Sequence, residues 1–155
     1  MSEAYHVWPL APEQLVQAFP LVKAIEPDMT LEHWLVYAGA FLQHREGQAA
    51  RKILTVQCDK GYIHGLAFCR CKPDLRLGCI LEVENFVSLD LTGGKRAGRA
   101  LLKATEQQAR DWGCGYVRLS LLDDETRHHP VTATIRSSGY RQEPNRLAKQ
   151  LVAAG

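Results

Sequence analysis

The chain has 155 residues, 46% of them apolar and 23% charged, with a net charge of +2. Those figures fit one soluble globular domain, here taken as residues 1–155, large enough to bury a proper core. So small a charge argues for neither nucleic acid nor a membrane surface as partner, and any basic site must be local.

The segment 5–10, YHVWPL, alternates and reads as a short strand. Residues 11–25 carry Leu15, Phe19 and Val22 at helical spacing, with Pro20 as a point where the helix is expected to kink or break. A second helix is predicted within 27–45, opened by Thr30 as N-cap and burying Trp34, Tyr37 and Phe41 on one face. The period then changes to two. Segments 52–58, 62–71 and 78–89 read as three strands, joined by a DKG hairpin turn at 59–61 and a looser turn at 72–78. A helix of about four turns follows, with Leu101, Leu102, Thr105, Ala109 and Trp112 as its buried stripe and Gly113 as its stop. Segment 116–122 reads as a strand, 130–139 as a short helix between Pro130 and Gly139, and 145–153 as a last strand. Hairpins followed by a strand–helix–strand unit imply an α/β fold with a mixed sheet and helices on both faces.

Five cysteines, Cys58, Cys69, Cys71, Cys79 and Cys114, follow an N-terminus that does not read as a signal peptide. An odd count in that setting suggests reduced thiols and a cytoplasmic protein. Cys69 and Cys71 are separated by one residue, which places both on one face of a strand and does not resemble a zinc knuckle, so no metal is expected. No apolar run approaches the roughly 20 residues of a membrane span.

The stretch LTGGKRAGRALLKATEQQAR, 91–110, sets glycines and positive charge at the mouth of a helix. A helix N-terminus carries about half a positive charge, and glycines let the backbone approach a ligand, a combination suited to a phosphate or pyrophosphate. Lys95, Arg99 and Lys103 lie four apart and form one basic stripe, with Arg96 beside it. The stretch is neither a Walker motif nor the dinucleotide fingerprint. Taken alone, it equally fits a solvated basic helix face behind a flexible loop.

The order of elements, the GGKRAG motif at 93–98 and the segment SLLDDETRHHPVTATIRSSGYR together resemble the GNAT superfamily of N-acetyltransferases. The resemblance runs from about residue 5 to residue 151. The family motif is [QR]-x-x-G-x-[GA]. Gly98 matches its last position, Gly93 stands in place of Gln or Arg, and Arg96 in place of Gly. The resemblance implies the GNAT fold, with splayed parallel strands 78–89 and 116–122. It also implies acetyl-CoA or another acyl-CoA as co-substrate, with pyrophosphate on the amides of Lys95 to Arg99. Ser88, Leu89, Gly94, Lys95, Arg96, Ala97, Gly98 and Arg99 are the implied cofactor-binding residues. Pantetheine would pair with the exposed backbone of strand 78–89.

Direct acyl transfer to an amine needs a base, and Glu82 and Glu84 lie two apart on that strand, with Glu82 at the base position of some family members. Strand glutamates on a half-exposed sheet also often just face solvent. The family's usual acid, a tyrosine, is replaced by Ile135, leaving Tyr140, Ser137 or Ser138 as substitutes, or no acid at all. Glu26, Asp28 and Glu32 border the implied substrate cleft. With Asp123, Asp124 and Glu125 they would draw in a cationic amine, although both clusters also read as solvated acidic turns. His128 and His129 read as loop or helix-start residues.

The implied activity is N-acetylation of a small-molecule or peptide amine, with family members often dimerising. A non-catalytic CoA-binding module of the same fold is the alternative, favoured by Ile135 and the altered motif. A nucleic-acid binder is disfavoured by the lack of aromatics on the basic stripe, and a purely structural partner subunit is the fourth reading.

Overall fold

The computed structural model describes residues 4–43, 47, 49–89, 96–121, 135–143 and 146–151. The elements are β1 (Tyr5–Pro9), α1 (Leu15–Ile25), α2 (Leu31–Leu42), β2 (Arg51–Cys58), β3 (Ile63–Asp74), β4 (Gly78–Ser88), α3 (Arg96–Asp111) and β5 (Tyr116–Leu121). The strands form one sheet in the order β1-β2-β3-β4-β5. The first three pairings are antiparallel and β4–β5 is parallel, with α3 as the crossover between them. No helix among the described residues is long and apolar enough to cross a membrane.

Alternation along the strands builds two cores. On one face Leu54, Val56, Ala67, Cys69, Leu81, Val83 and Phe86 meet Ala97, Leu101, Leu102 and Ala109 of α3. On the other, Ile53, Leu66, Phe68 and Val87 meet α1 and α2 through Leu15, Ala18, Leu21, Val22, Trp34, Ala38 and Phe41. Phe68 is the hub of the second core: the rings of Trp34, Tyr37 and Phe41 lie 5.9, 5.4 and 4.9 Å from it. Removing so buried an aromatic ring costs about 3–5 kcal/mol. The Trp34 indole also donates to the Leu15 carbonyl at 2.7 Å, tying α2 to α1.

Thr30 caps α2 as expected, its hydroxyl accepting from the His33 amide at 3.1 Å. Pro20 does not break α1, which runs through it. Val16 and Pro20 are both exposed, so the carbonyl that Pro20 cannot serve lies toward water. The 72–78 turn is tighter than predicted, because β3 continues to Asp74 and pairs with Gly78. The Asp74 carboxylate closes it by accepting from the amides of Arg76 and Leu77, both at 2.9 Å.

The predicted strand at 145–153 is not a strand over its described residues, 146–151. Leu147 and Leu151 are exposed. In a strand they would share a face, but Lys149 stands between them, so that face carries no continuous apolar row to bury. Of the predicted 130–139 helix, Ile135–Ser137 are described and helical, and Gly139, at φ 95°, ends the turn.

Candidate active site

β4 carries a bulge that reorganises everything downstream of it. Val83 pairs with Leu119 and Phe86 with Leu121, so β4 spends one more residue than β5 on that interval. The same extra residue appears against β3, where Phe68 faces Glu84 and Leu66 faces Val87. Asn85 absorbs the kink at φ 56°. Asparagine is among the few side chains that tolerate this left-handed conformation. Strict alternation would put Phe86 beside Glu82 and Glu84. Instead Phe86 joins the α3-side core and Val87 the α1/α2-side core.

Beyond the bulge, β4 continues to Ser88, past its last described pairing with β5. The Leu89 amide donates to the His64 carbonyl at 2.7 Å, which makes these two a hydrogen-bonded pair. Because such pairs alternate in an antiparallel ladder, Ser88 opposite Gly65 turns its main-chain groups toward the β5 side. Among the described residues the last β4–β5 pair is Phe86–Leu121. The parallel strands are therefore joined through Phe86. Ser88 is buried, and its hydroxyl oxygen has no hydrogen-bond partner among the described residues. Gly65 is needed here: a Cβ on it would sit 2.7 Å from the Val87 carbonyl oxygen. Leu89, by contrast, has its amide committed to β3.

The chain next enters α3. Gly93, Gly94 and Lys95 lie outside the described residues, as do Asp123, Asp124, Glu125, His128 and His129. Arg96 opens the helix and its guanidinium lies over the Tyr5 ring, 5.7 Å from the centroid. Ala97 and Gly98 are buried against the sheet, where only small residues let the helix come close. Arg99 and Lys103 are exposed one turn apart. The positive end of the α3 dipole and these cations thus follow the end of β4 in the chain.

The two glutamates of β4 sit on the α1/α2 face, in a charged layer that extends from the apolar core. Glu84 accepts from the Arg70 guanidinium at 2.7 Å. Glu82 is nearly buried, 3.3 Å from the Lys72 ammonium, and lies in register with Arg70 on β3 and Arg118 on β5. Arg118 in turn holds Glu143 at 2.8 Å, and the Tyr116 hydroxyl donates to the same carboxylate at 2.8 Å. The Arg118 hydrogen bond, then that of Tyr116, keeps the Glu143 carboxyl below its ordinary range. Glu84 is beside the bulge. There the Asn85 side-chain amide donates to the Tyr37 hydroxyl at 2.7 Å, bridging β4 to α2. Burial pushes the Tyr37 hydroxyl up, the Asn85 bond opposes this, and the charge of Glu84 adds to it.

Tyr140 is elsewhere. It packs against the α3-side core and its hydroxyl donates to Glu106 at 3.1 Å. Burial and then the Glu106 charge raise its pKa. The sheet therefore separates it from Glu82 and Glu84. Ile135 is buried in that same core. Glu26 is half-buried at the end of α1, while Asp28 and Glu32 are exposed at the start of α2. None of these three is in an ion pair among the described residues. The Tyr37–Asn85 bridge was hidden in the sequence, since Tyr37 shares its helical face with core residues. The only signal was an asparagine in the middle of a strand.

No protein-family model matches the sequence, and no curated protein sequence matches it significantly. Solved structures do resemble the fold. An acetyltransferase from Trypanosoma brucei is 18% identical, with 96% of this chain and 100% of that one covered at a TM-score of 0.69. Aminoglycoside N-acetyltransferase AAC(6')-Iy, crystallised in complex with CoA, is 14% identical, with 99% and 98% covered at a TM-score of 0.75. Ribosomal-protein-alanine N-acetyltransferase from Brucella melitensis is 15% identical, with 96% and 100% covered at a TM-score of 0.73. At such identities the likeness is one of fold, and over nearly its whole length this chain has the fold of the GNAT N-acetyltransferases.

Proposed function

We propose that the protein is an acetyl-CoA-dependent N-acetyltransferase acting on a primary amine of a small molecule or peptide. The observation that carries this reading is the end of β4. A bulged strand continues past its last described pairing with β5, turns the Ser88 main chain to that side, and keeps a buried serine hydroxyl without a partner among the described residues. An extended ligand with amide groups fits such an edge, and a diphosphate fits the α3 N-terminus with Arg96 and Arg99. Gly94 and Lys95 belong to the same proposed cradle, with Ala97 and Gly98 keeping it close to the sheet.

In this reading the acetyl thioester is the substrate that supplies the acyl carbon. The amine reaches it from the α1/α2 side, past Glu26, Asp28 and Glu32, which favour a cationic acceptor. Glu84, at the bulge, or Glu82, deeper in the strand, takes the proton that makes the nitrogen a nucleophile. The nitrogen forms its bond to the carbonyl carbon, the carbon–sulfur bond breaks, and the thiolate leaves to be protonated by solvent. Tyr140, tied to Glu106 on the far face, is not assigned the acid role. Five free thiols accord with a cytoplasmic setting.

The test is CoA-thiol release from acetyl-CoA over polyamines, aminoglycosides, amino acids, peptides and neutral arylamines, at low and high salt. Amine-dependent thiol release with a matching acetylated product supports the proposal, and a cationic acceptor whose rate falls with salt supports the acidic entry. Tight acetyl-CoA binding with no transfer to any amine would leave a non-catalytic module instead.

A further inference from the structure

Three of the five thiols meet at one point. Cys71 and Cys79 are diagonal neighbours on β3 and β4, since Cys71 pairs with Leu81 and Pro73 with Cys79. Both project on the α3 side of the sheet. The third arrives through the end of α3. Gly113, at φ 72°, stops the helix, and the Cys114 amide reaches back to the Ala109 carbonyl at 2.8 Å. The next amide, of Gly115, donates to the Cys79 carbonyl at 3.3 Å and stitches the turn to β4. Backbone geometry thereby sets all three. The sulfur separations are 2.7 Å for Cys71–Cys79, 2.8 Å for Cys79–Cys114 and 3.5 Å for Cys71–Cys114.

We propose that Cys71, Cys79 and Cys114 form a three-sulfur site for one soft d10 metal ion of the Zn(II) or Cu(I) class. All five cysteines are free, so no disulfide consumes the pair. A disulfide would use two of these sulfurs and leave the third pressed against it, whereas a metal ion uses all three. Apart from the Trp112 carbonyl, 4.0 Å from the Cys114 sulfur, the hydrogen-bond contacts of these thiols are with one another. Soft thiolates with no hard oxygen or nitrogen donor among them select soft ions. At a metal–sulfur distance of about 2.3 Å, three sulfurs stand about 3.8–4.0 Å apart. The three therefore open by roughly 0.3–1.3 Å, within reach of small side-chain rotations about the fixed backbone.

On binding, each thiol gives its proton to solvent as its sulfur–metal bond forms. Cys71 and Cys79 are only partly buried, which leaves an entry path and room for a water as fourth ligand of Zn(II). The ion would clamp the β3–β4 hairpin to the α3–β5 turn. This end of α3 is about 24 Å from its N-terminus, sixteen residues away, so the site is separate from the proposed acyl-transfer cleft.

The sequence expectation of no metal rested on the spacing of Cys69 and Cys71, yet the partners of Cys71 lie 8 and 43 residues further along the chain. The experiment titrates Cd(II) into the reduced, chelator-treated full chain and follows the thiolate-to-metal charge-transfer band. X-ray absorption is then recorded on the saturated protein. Saturation at one equivalent, three sulfur neighbours and a raised Tm are expected, with Cu(I) displacing Cd(II) and Zn(II) binding the metal-free site. Cys71→Ala and Cys79→Ala, at partly exposed strand positions, should each weaken Cd(II) binding by about tenfold or more, while Cys58→Ala leaves it unchanged. No stoichiometric band, fewer than three sulfur neighbours, or full binding in the Cys71→Ala, Cys79→Ala double variant would overturn the proposal. The wild-type absorption spectrum decides the matter even if the variants fold poorly.

Discussion

The Tyr37 hydroxyl of α2 and the Asn85 side-chain amide of β4 are hydrogen-bonded at 2.7 Å, and Asn85 is the residue whose left-handed backbone makes the β4 bulge. One side chain thus holds the helix layer against the β4 bulge. Glu84 lies next to it in the chain and is itself held by Arg70. The bulge, the helix layer and a carboxylate are therefore mechanically coupled.

That coupling predicts an order of stabilities. Asn85→Ala keeps neither the amide nor an easy positive φ and should cost about 1–2 kcal/mol. Asn85→Gly restores the backbone freedom and should fall between Ala and wild type. Tyr37→Phe removes only the hydroxyl and should cost about 0.5–1.5 kcal/mol. Urea unfolding of the four proteins measures the order, and an Ala variant as stable as Gly would mean the bulge relaxes without cost.

Acetyl-CoA should raise the Tm, with a rise that shrinks at high salt. Arg99→Glu, at an exposed position on the first turn of α3, should weaken binding by about tenfold at low salt without unfolding the chain. Calorimetric titration checks both. Equal affinity for wild type and variant would move the diphosphate away from this helix end.

Glu84→Gln and Glu82→Gln separate two placements of the base. The residue that accepts the amine proton should lose about 10²–10⁴-fold in kcat/KM when changed to Gln. The other should show a smaller loss, arising from its freed cation, Arg70 or Lys72. Our reading expects the larger loss at Glu84. Undiminished turnover in the double variant would show that neither carboxylate removes the proton.

Glu143 should make stability fall in acid. Its folded-state carboxyl lies below the ordinary value of 4.5, chiefly because Arg118 donates to it. A depressed carboxyl stabilises the fold fully above its unfolded pKa and loses that contribution as pH falls through the folded one. Wild type should therefore exceed Glu143→Gln in Tm at pH 7, and the gap should narrow as pH drops below about 4.5. A gap that stays constant down to pH 3 would place the effect in packing rather than charge.

The elements from β1 to β5 and their order were legible in the sequence, whereas the strand expected at 145–153 is not one over its described residues. The change of period from helical to two, the Thr30 cap and the Gly113 stop are local signals, and local backbone preference is enough to read them. The resemblance carried by GGKRAG and the flanking segments set the fold and pointed to the open end of strand 78–89. Only the tertiary structure decided what depends on register and on distant partners. A one-residue bulge at Asn85 leaves the β propensity of the strand intact, yet it moves Phe86 to one core and Val87 to the other. The convergence of Cys71, Cys79 and Cys114 requires a hairpin register and a helix end to meet, and no spacing along the chain encodes that. Tyr140 looked free to serve as an acid until the packing of α3 gave its hydroxyl to Glu106. Sequence period reports which face of its own element a residue occupies; which other residues share that face is fixed by pairing across the sheet.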